Sequence, residues 1–172
     1  MSDLYNFYQS ILNIRKQDQF NTIKNIVLEE RQKLNNITND VSGFCKIIAS
    51  QIEEKLKNAN ITTYWLDLNN IISIDHVILI AEYMTDTGIK RILIDPTYQQ
   101  FTKMDNHKLI KLQEWPSTRL DKNILNDLLT DGITEINEAR FQNYLNSFGE
   151  YNLDISLDNY LLEQKIGKNK KR

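Results

Sequence analysis

The chain has 172 residues, 41% of them hydrophobic and 26% charged, which is ordinary for one folded domain. A formal net charge of -2 excludes a global field that would recruit nucleic acid or an anionic membrane. The single cysteine excludes a disulfide-stapled scaffold, and one cysteine with two histidines argues against a zinc cage, which needs four converging ligands. We therefore expect no metal and no other cofactor.

The N-terminus has neither a basic start nor an uninterrupted apolar run, so we predict no signal peptide and no membrane span. A cytoplasmic protein, or one exported without a cleaved signal, fits this pattern. The basic run at residues 168–172 is interpreted as a solvated tail, and no nucleic-acid partner is expected. The sequence leaves the oligomeric state open.

Two helices are predicted in the first third of the chain. Apolar residues recur at intervals of three and four over residues 4–34, and the stretch 16–19 would split this helix in two. Turn formers at 35–43 end the region. A second helix is expected from about Ser42 to Asn58. Its apolar face contains Cys45, Ile48, Ala49, Ile52 and Leu56.

Three strands follow, at residues 61–68, 76–83 and 89–95, because these segments are rich in β-branched and aromatic residues. The last two should form an antiparallel hairpin. If Tyr83 faces Gly88 across a four-residue loop, His76 faces Asp95. Directly opposed side chains share a face, with Cβ atoms roughly 4.5–5.5 Å apart, so this imidazole and carboxylate could form a hydrogen bond.

The remainder of the chain has weaker signals. Residues 120–132 and 137–149 look like short helices that each end at a glycine, and 156–167 could be a third. Aromatic residues of both flanks have helical spacing and are interpreted as core packing; they are Tyr5, Phe7, Tyr8, Phe141, Tyr144, Phe148 and Tyr151.

The predicted architecture is α+β, in one domain that spans residues 1–172. A helical N-terminal flank would cover 1–40, a catalytic core 42–101, and a mostly helical C-terminal annex 102–172.

Cys45 is the candidate nucleophile, because it would lie in the first turn of its helix. The positive end of the helix dipole favours a thiolate there, and the free N–H groups of that turn could stabilise an oxyanion. Gly43 would leave one side of the sulfur open. The alternative is that Cys45 is a buried hydrophobe and that His76 and Asp95 are an ordinary strand-start residue and a turn starter.

Residues 42–101 resemble the core of transglutaminase-like members of the papain-like cysteine enzyme superfamily. The resemblance rests on a G-x-C at a helix start ("GFC"), a strand start ("ANIT"), a strand that begins with histidine ("HV") and one that ends in D-P-T ("DPT"). The sequence "DPTYQQF" is also similar to bacterial glutamine deamidases and effector-type cysteine proteases of that superfamily.

The resemblance implies a papain-like or transglutaminase-like fold, in which the nucleophile helix packs on a small antiparallel sheet. It also implies acyl transfer with Cys45 as nucleophile, His76 as general base and acid, and Asp95 as the orienting residue. Asn39, with Gly43, is a candidate for the oxyanion hole. Lys46 replaces the aromatic residue that often follows the nucleophile, and no calcium loop is evident, so a typical transglutaminase acceptor site is in doubt.

The function expected first is a thiol-dependent hydrolase that acts on a peptide or protein amide. It would be a cysteine protease, which includes leader-peptide processing enzymes, or a glutamine deamidase. One alternative is a non-catalytic protein-binding module or an inactive relative of the same fold. Another is a transglutaminase-type acyl transferase.

Overall fold

A computed structural model describes residues 2–38, 41, 43–102, 116–149 and 156–162 of the chain. The described part contains helices and one antiparallel sheet with strand order β1-β2-β3-β4, so the predicted α+β class is confirmed. In chain order the elements are α1 (Ser2–Ile37), α2 (Cys45–Asn58), β1 (Thr62–Asp67), α3 (Asn69–Ile72), β2 (Val77–Thr85), β3 (Gly88–Ile94), a 3-10 turn (Tyr98–Phe101), α4 (Pro116–Arg119), α5 (Lys122–Asp131), β4 (Ile133–Ile136) and α6 (Glu138–Asn146). Residues 157–162 are also helical.

Helix α1 is continuous, so the predicted break at residues 16–19 is wrong. Its second half packs against α2 and β2 and buries Ile23, Val27 and Leu34. Its first turns are different, because their large apolar side chains are 62–64% exposed. These exposed side chains are Leu4, Tyr5, Phe7 and Tyr8. The interpretation of the N-terminal aromatic residues as core packing is therefore wrong, whereas Phe141 and Tyr144 of the other flank are fully buried.

The sheet lies between two helical layers. Strand β2 is buried on both faces at its first five positions, and its side chains alternate between two separate cores. Val77, Leu79 and Ala81 face the core shared with α1 and α2. Ile78 and Ile80 face the core shared with α5 and α6. A strand covered on both sides has a near-continuous apolar run, which is what "VILIA" provides.

The β2–β3 hairpin is tighter than the sequence suggested. Thr85 pairs with Gly88, and the loop between them has two residues instead of four. The predicted pairing of Tyr83 with Gly88 is therefore wrong by two residues, since Tyr83 pairs with Lys90. Gly88 has a φ of +120°, a conformation that side-chain-bearing residues rarely adopt.

Strand β4 occupies residues 133–136, between two expected helices, and is not predicted from the sequence. The strand pairs antiparallel with β3 and closes one edge of the sheet. Four residues are too few for a clear alternating pattern, and the pairing with β3 spans a long separation along the chain. The described C-terminal residues therefore contain one strand in addition to helices.

None of the helices in the described ranges is long and apolar enough to cross a membrane.

Gly132 connects the C-terminal region to the end of β3. It ends α5 with a φ of +74°, and its carbonyl accepts a 2.9 Å hydrogen bond from the backbone N–H of Asp95. A Cβ at this position would lie 3.1 Å from Val27 Cγ1 and 3.2 Å from Pro96 Cα.

We predict that Gly132→Ala lowers the free energy of unfolding by about 2–4 kcal/mol, because backbone strain and overpacking add. Gly43→Ala is the matched control, since Gly43 also has a positive φ, of +85°, but an added Cβ there meets no described atom within 4 Å. The control should show the strain alone, about 1–2 kcal/mol. Urea unfolding measures both losses, and equal losses would contradict the prediction.

We also predict that Phe7→Ser and Tyr8→Ser each change the free energy of unfolding by less than about 0.5 kcal/mol, because the replaced side chains are exposed. Phe141→Ala, at a fully buried aromatic residue, should instead cost about 3–5 kcal/mol. A large loss on Tyr8→Ser would mean that the first turns of α1 are packed.

Candidate active site

The three residues expected to carry the chemistry lie at one end of the sheet. Cys45 is the first residue of α2, which packs on β1 and β2. His76 stands one residue before β2, and Asp95 stands one residue after β3. Because β2 and β3 run antiparallel, the start of one strand and the end of the other share an edge of the sheet.

His76 and Asp95 form a buried hydrogen bond. His76 Nε2 lies 2.9 Å from Asp95 Oδ1, and neither residue has any exposed surface. The contact exists although the predicted register is wrong. A difference of two residues returns each side chain to the same face of the strand, so the pair becomes diagonal instead of directly opposed and stays within reach.

The backbone around the pair holds both residues firmly. His76 accepts a 2.8 Å hydrogen bond from the N–H of Leu68 and donates its own N–H to Ile74 at 2.8 Å. Asp95 begins a turn through Pro96 and Thr97, and its carbonyl accepts from the N–H of Tyr98 at 3.4 Å. Proline at the second position suits this turn, which explains why D-P-T follows the strand.

Aromatic side chains enclose the histidine ring. Phe101 meets it edge to face with ring centres 4.9 Å apart, and Phe148 lies 6.5 Å away. Tyr98 and Tyr144 complete the aromatic group by packing against Phe148. These aromatic side chains exclude water from the His76–Asp95 pair, and exclusion of water strengthens an electrostatic interaction.

Tyr144 was not expected at this site. Its hydroxyl donates a 2.5 Å hydrogen bond to Asp95 Oδ2, the carboxylate oxygen that does not face His76. The sequence signal was present but pointed elsewhere, because Tyr144 falls in an amphipathic helical pattern that indicates core packing. Nothing in that pattern relates residue 144 to residue 95.

The second ring nitrogen of His76, Nδ1, is not bound to Asp95. Within the described part of the chain, Nδ1 is buried without a hydrogen-bond partner of ordinary geometry. Buried polar atoms are almost always satisfied, so an orphan of this kind needs an explanation. The His76 ring nevertheless lowers the pKa of the Cys45 thiol.

The pKa of the Cys45 thiol is lowered from its ordinary value. Burial, and the negative charge of Asp95, raise this pKa. His76, through hydrogen bonding and charge, and the backbone N–H of Val77 together lower it by more. Cys45 is itself buried, with 7% of the residue exposed, whereas its neighbours Gly43 and Lys46 are exposed. A lowered thiol pKa at a helix start is typical of reactive cysteines.

The pKa of His76 is raised to about 9. Burial lowers it, but the charge and hydrogen bond of Asp95, followed by those of Cys45, more than compensate. A pKa of about 9 keeps His76 an imidazolium near neutral pH, with one ring nitrogen bound to the carboxylate of Asp95. Because each group shifts the pKa of the other, the protonation of Cys45 depends on that of His76.

The oxyanion-hole candidates have different outcomes. Asn39 lies outside the described residues. Gly43 is exposed with a positive φ, and an added Cβ would meet no described atom within 4 Å. Helix α2 begins after Phe44, which supplies no side-chain cap to the N–H groups of the first turn. Those N–H groups point out of the helix at the end that Cys45 occupies.

Lys46 and Asp75 form an exposed ion pair at 3.9 Å, next to Cys45 and His76 in the sequence. A pair this exposed contributes little to stability. The second histidine of the sequence, His107, lies outside the described residues. Among the described residues, no group of three or more His, Cys, Asp or Glu side chains could hold a metal ion.

Comparisons with protein-family models, curated proteins and solved structures found no match to this chain.

The site predicts that the thiol of Cys45 is already reactive at pH 6. An ordinary cysteine, with a pKa near 8.5, is only roughly 0.3% thiolate at that pH. We expect iodoacetamide to label the folded protein at pH 6 much faster than a free thiol, and His76→Ala to shift the midpoint of the pH profile upward. Labelling that rises only above pH 8 in the wild-type protein would contradict the ion pair.

Proposed function

We propose that the protein is a thiol-dependent hydrolase that cleaves peptide or protein amides through Cys45, His76 and Asp95. One observation carries the proposal: the only cysteine lies at a helix start, and its pKa is lowered by a buried histidine whose Nε2 binds a buried carboxylate. The order of nucleophile helix, histidine strand and aspartate strand supports a papain-like or transglutaminase-like core, to which the resemblance in residues 42–101 also points.

In the first half of the reaction, the Cys45 thiolate attacks the carbonyl carbon of the amide and forms a tetrahedral oxyanion. The N–H groups of the first turn of α2 would stabilise that charge. As the C–N bond breaks, the His76 imidazolium gives its proton to the leaving amine or ammonia. The acyl group remains on the sulfur as a thioester.

In the second half, water attacks the thioester while the neutral His76 accepts a proton from it. The C–S bond breaks, the product leaves as a carboxylic acid, and the thiolate and imidazolium are restored. One water is consumed for each amide. Asp95 takes no proton in either half: it binds Nε2, which leaves Nδ1 as the nitrogen that would exchange protons, and it stabilises the imidazolium.

The same residues would serve a backbone peptide or a glutamine side chain, so protease and glutamine deamidase share this mechanism. If an amine replaces water in the second half, the product is that of a transglutaminase. Lys46, which stands where an aromatic residue often follows the nucleophile in transglutaminase-like enzymes, favours water as the acceptor.

A non-catalytic protein-binding module is the second candidate, and the exposed apolar side chains of Leu4, Tyr5, Phe7 and Tyr8 favour it. Reactivity of Cys45 separates the two functions. A binding module has no need of a thiolate, whereas the hydrolase must keep Cys45 ionised at pH values below the ordinary pKa of a thiol.

We predict that the wild-type protein hydrolyses amides in a glutamine-containing peptide library and that Cys45→Ala abolishes this activity while the protein stays folded. Mass spectrometry separates the outcomes: a new terminus indicates proteolysis, conversion of a glutamine to glutamate indicates deamidation, and an adduct with an added primary amine indicates transfer. Activity should decline as pH rises through about 9, because His76 then loses the proton that the leaving group needs. Activity that survives Cys45→Ala would refute the mechanism.

A further inference from the structure

The carboxylate of Asp95 is held from both sides. His76 Nε2 lies 2.9 Å from Oδ1, and the Tyr144 hydroxyl lies 2.5 Å from Oδ2. All three residues are fully buried. An ionised carboxylate accepts hydrogen bonds at both oxygens, so two donors in different directions fix the plane of the group.

Helix α6, which carries Tyr144, is itself anchored at several points. The Asn137 side chain caps its start by accepting from the N–H of Arg140 at 2.9 Å. Asn143 Oδ1 accepts from the N–H of Asp121 at 2.8 Å, which joins α6 to the start of α5. The hydroxyl of Tyr144 is therefore presented from a fixed element and not from a loop.

Tyr98 shows what a merely packed tyrosine looks like in the same surroundings. It belongs to the same aromatic group, with its ring centre 5.8 Å from that of Tyr144, and it is fully buried. Its hydroxyl lies 3.5 Å from Ser147 Oγ, a neutral partner. Tyr144 instead binds the one carboxylate that also binds His76.

We propose that Tyr144 is a positioning residue: it holds the Asp95 carboxylate in the orientation that keeps Oδ1 on His76, and through His76 it sustains the thiolate of Cys45. The catalytic meaning of this inference rests on the proposed function, but thiolate formation can be measured without a substrate. Beside Cys45 itself, the titratable groups gathered at the site from the packed elements are His76, Asp95, Tyr98 and Tyr144.

The hydroxyl of Tyr144 remains protonated, and therefore a hydrogen-bond donor, over the pH range in which the site would work. Burial and the negative charge of Asp95 raise the pKa of Tyr144 well above its ordinary value. Loss of this donor would leave a buried carboxylate oxygen without a partner and free the group to rotate. Asp95 would then support the imidazolium less well, and the pKa of the thiol would rise.

The test is the pH profile of Cys45 alkylation by iodoacetamide in the full chain, followed by intact mass. We expect Tyr144→Phe to raise the midpoint by about one pH unit, so that the rate at pH 6 falls about tenfold. Tyr98→Phe is the matched control, because it removes a buried hydroxyl from the same aromatic group, and it should leave the midpoint unchanged. Circular dichroism verifies that each variant is folded.

Asp95→Asn separates two kinds of failure. If Tyr144→Phe keeps the wild-type midpoint while Asp95→Asn raises it, Tyr144 only packs, and the inference is wrong although the proposed function stands. If Asp95→Asn also keeps the wild-type midpoint, the proposed function fails with it.

A measurement on the wild-type protein decides the question should Tyr144→Phe not fold. With tyrosine labelled by carbon-13 at the ζ position, the Tyr144 resonance is followed as pH is changed. It should shift with the same midpoint as Cys45 alkylation, because the Tyr144 hydroxyl binds the Asp95 carboxylate, which also binds His76. A Tyr144 resonance that stays constant through that midpoint would overturn the inference.

Discussion

The buried hydrogen bond between His76 and Asp95 is the contact on which the candidate site depends. Removing one partner from a buried charged pair typically costs about 3–5 kcal/mol, because the other charge is left without compensation. The residues around the pair stabilise it: Tyr144 donates a hydrogen bond to the second oxygen of Asp95, and Phe101 and Phe148 pack near the His76 ring. One ring nitrogen, Nδ1, has no hydrogen-bond partner among the described residues, and the His76 ring lowers the pKa of the Cys45 thiol.

The site is built where the two helical layers meet at the end of the sheet. Helix α2 belongs to the layer that covers one face. By the alternation of β2 and β3, His76 and Asp95 share the other face with Ile78 and Leu93, which pack against α5 and α6. Tyr144 and Phe148 come from that second layer. The C-terminal region is therefore part of the candidate site, and residues 42–101 by themselves lack its fourth member.

Much of this arrangement follows from periodicity in the sequence, because period determines which face a residue occupies. The pairing of His76 with Asp95 depended only on the parity of the hairpin register, so an error of two residues left the contact in place. An error of one residue would have separated the pair. Helix α2 and the three longer strands were recognisable for the same reason, whereas β4 has four residues and pairs far along the chain. Tyr144 could not be assigned, since a helical pattern states that a residue is buried and not what its hydroxyl meets.

Whether Cys45 is a core residue or a nucleophile cannot be decided from its own pattern, because Ile48, Ala49 and Ile52 continue the same buried face of α2. The residues around Cys45 are more informative. A cysteine that only fills volume could be replaced by an alanine, and the apolar core beside it would require no ionisable group. Instead the chain buries an imidazole and a carboxylate next to it and adds a tyrosine hydroxyl to satisfy them. Burial of polar groups is unfavourable unless each has a partner, so a buried pair with one ring nitrogen unpartnered among the described residues supports the proposed chemistry at the thiol.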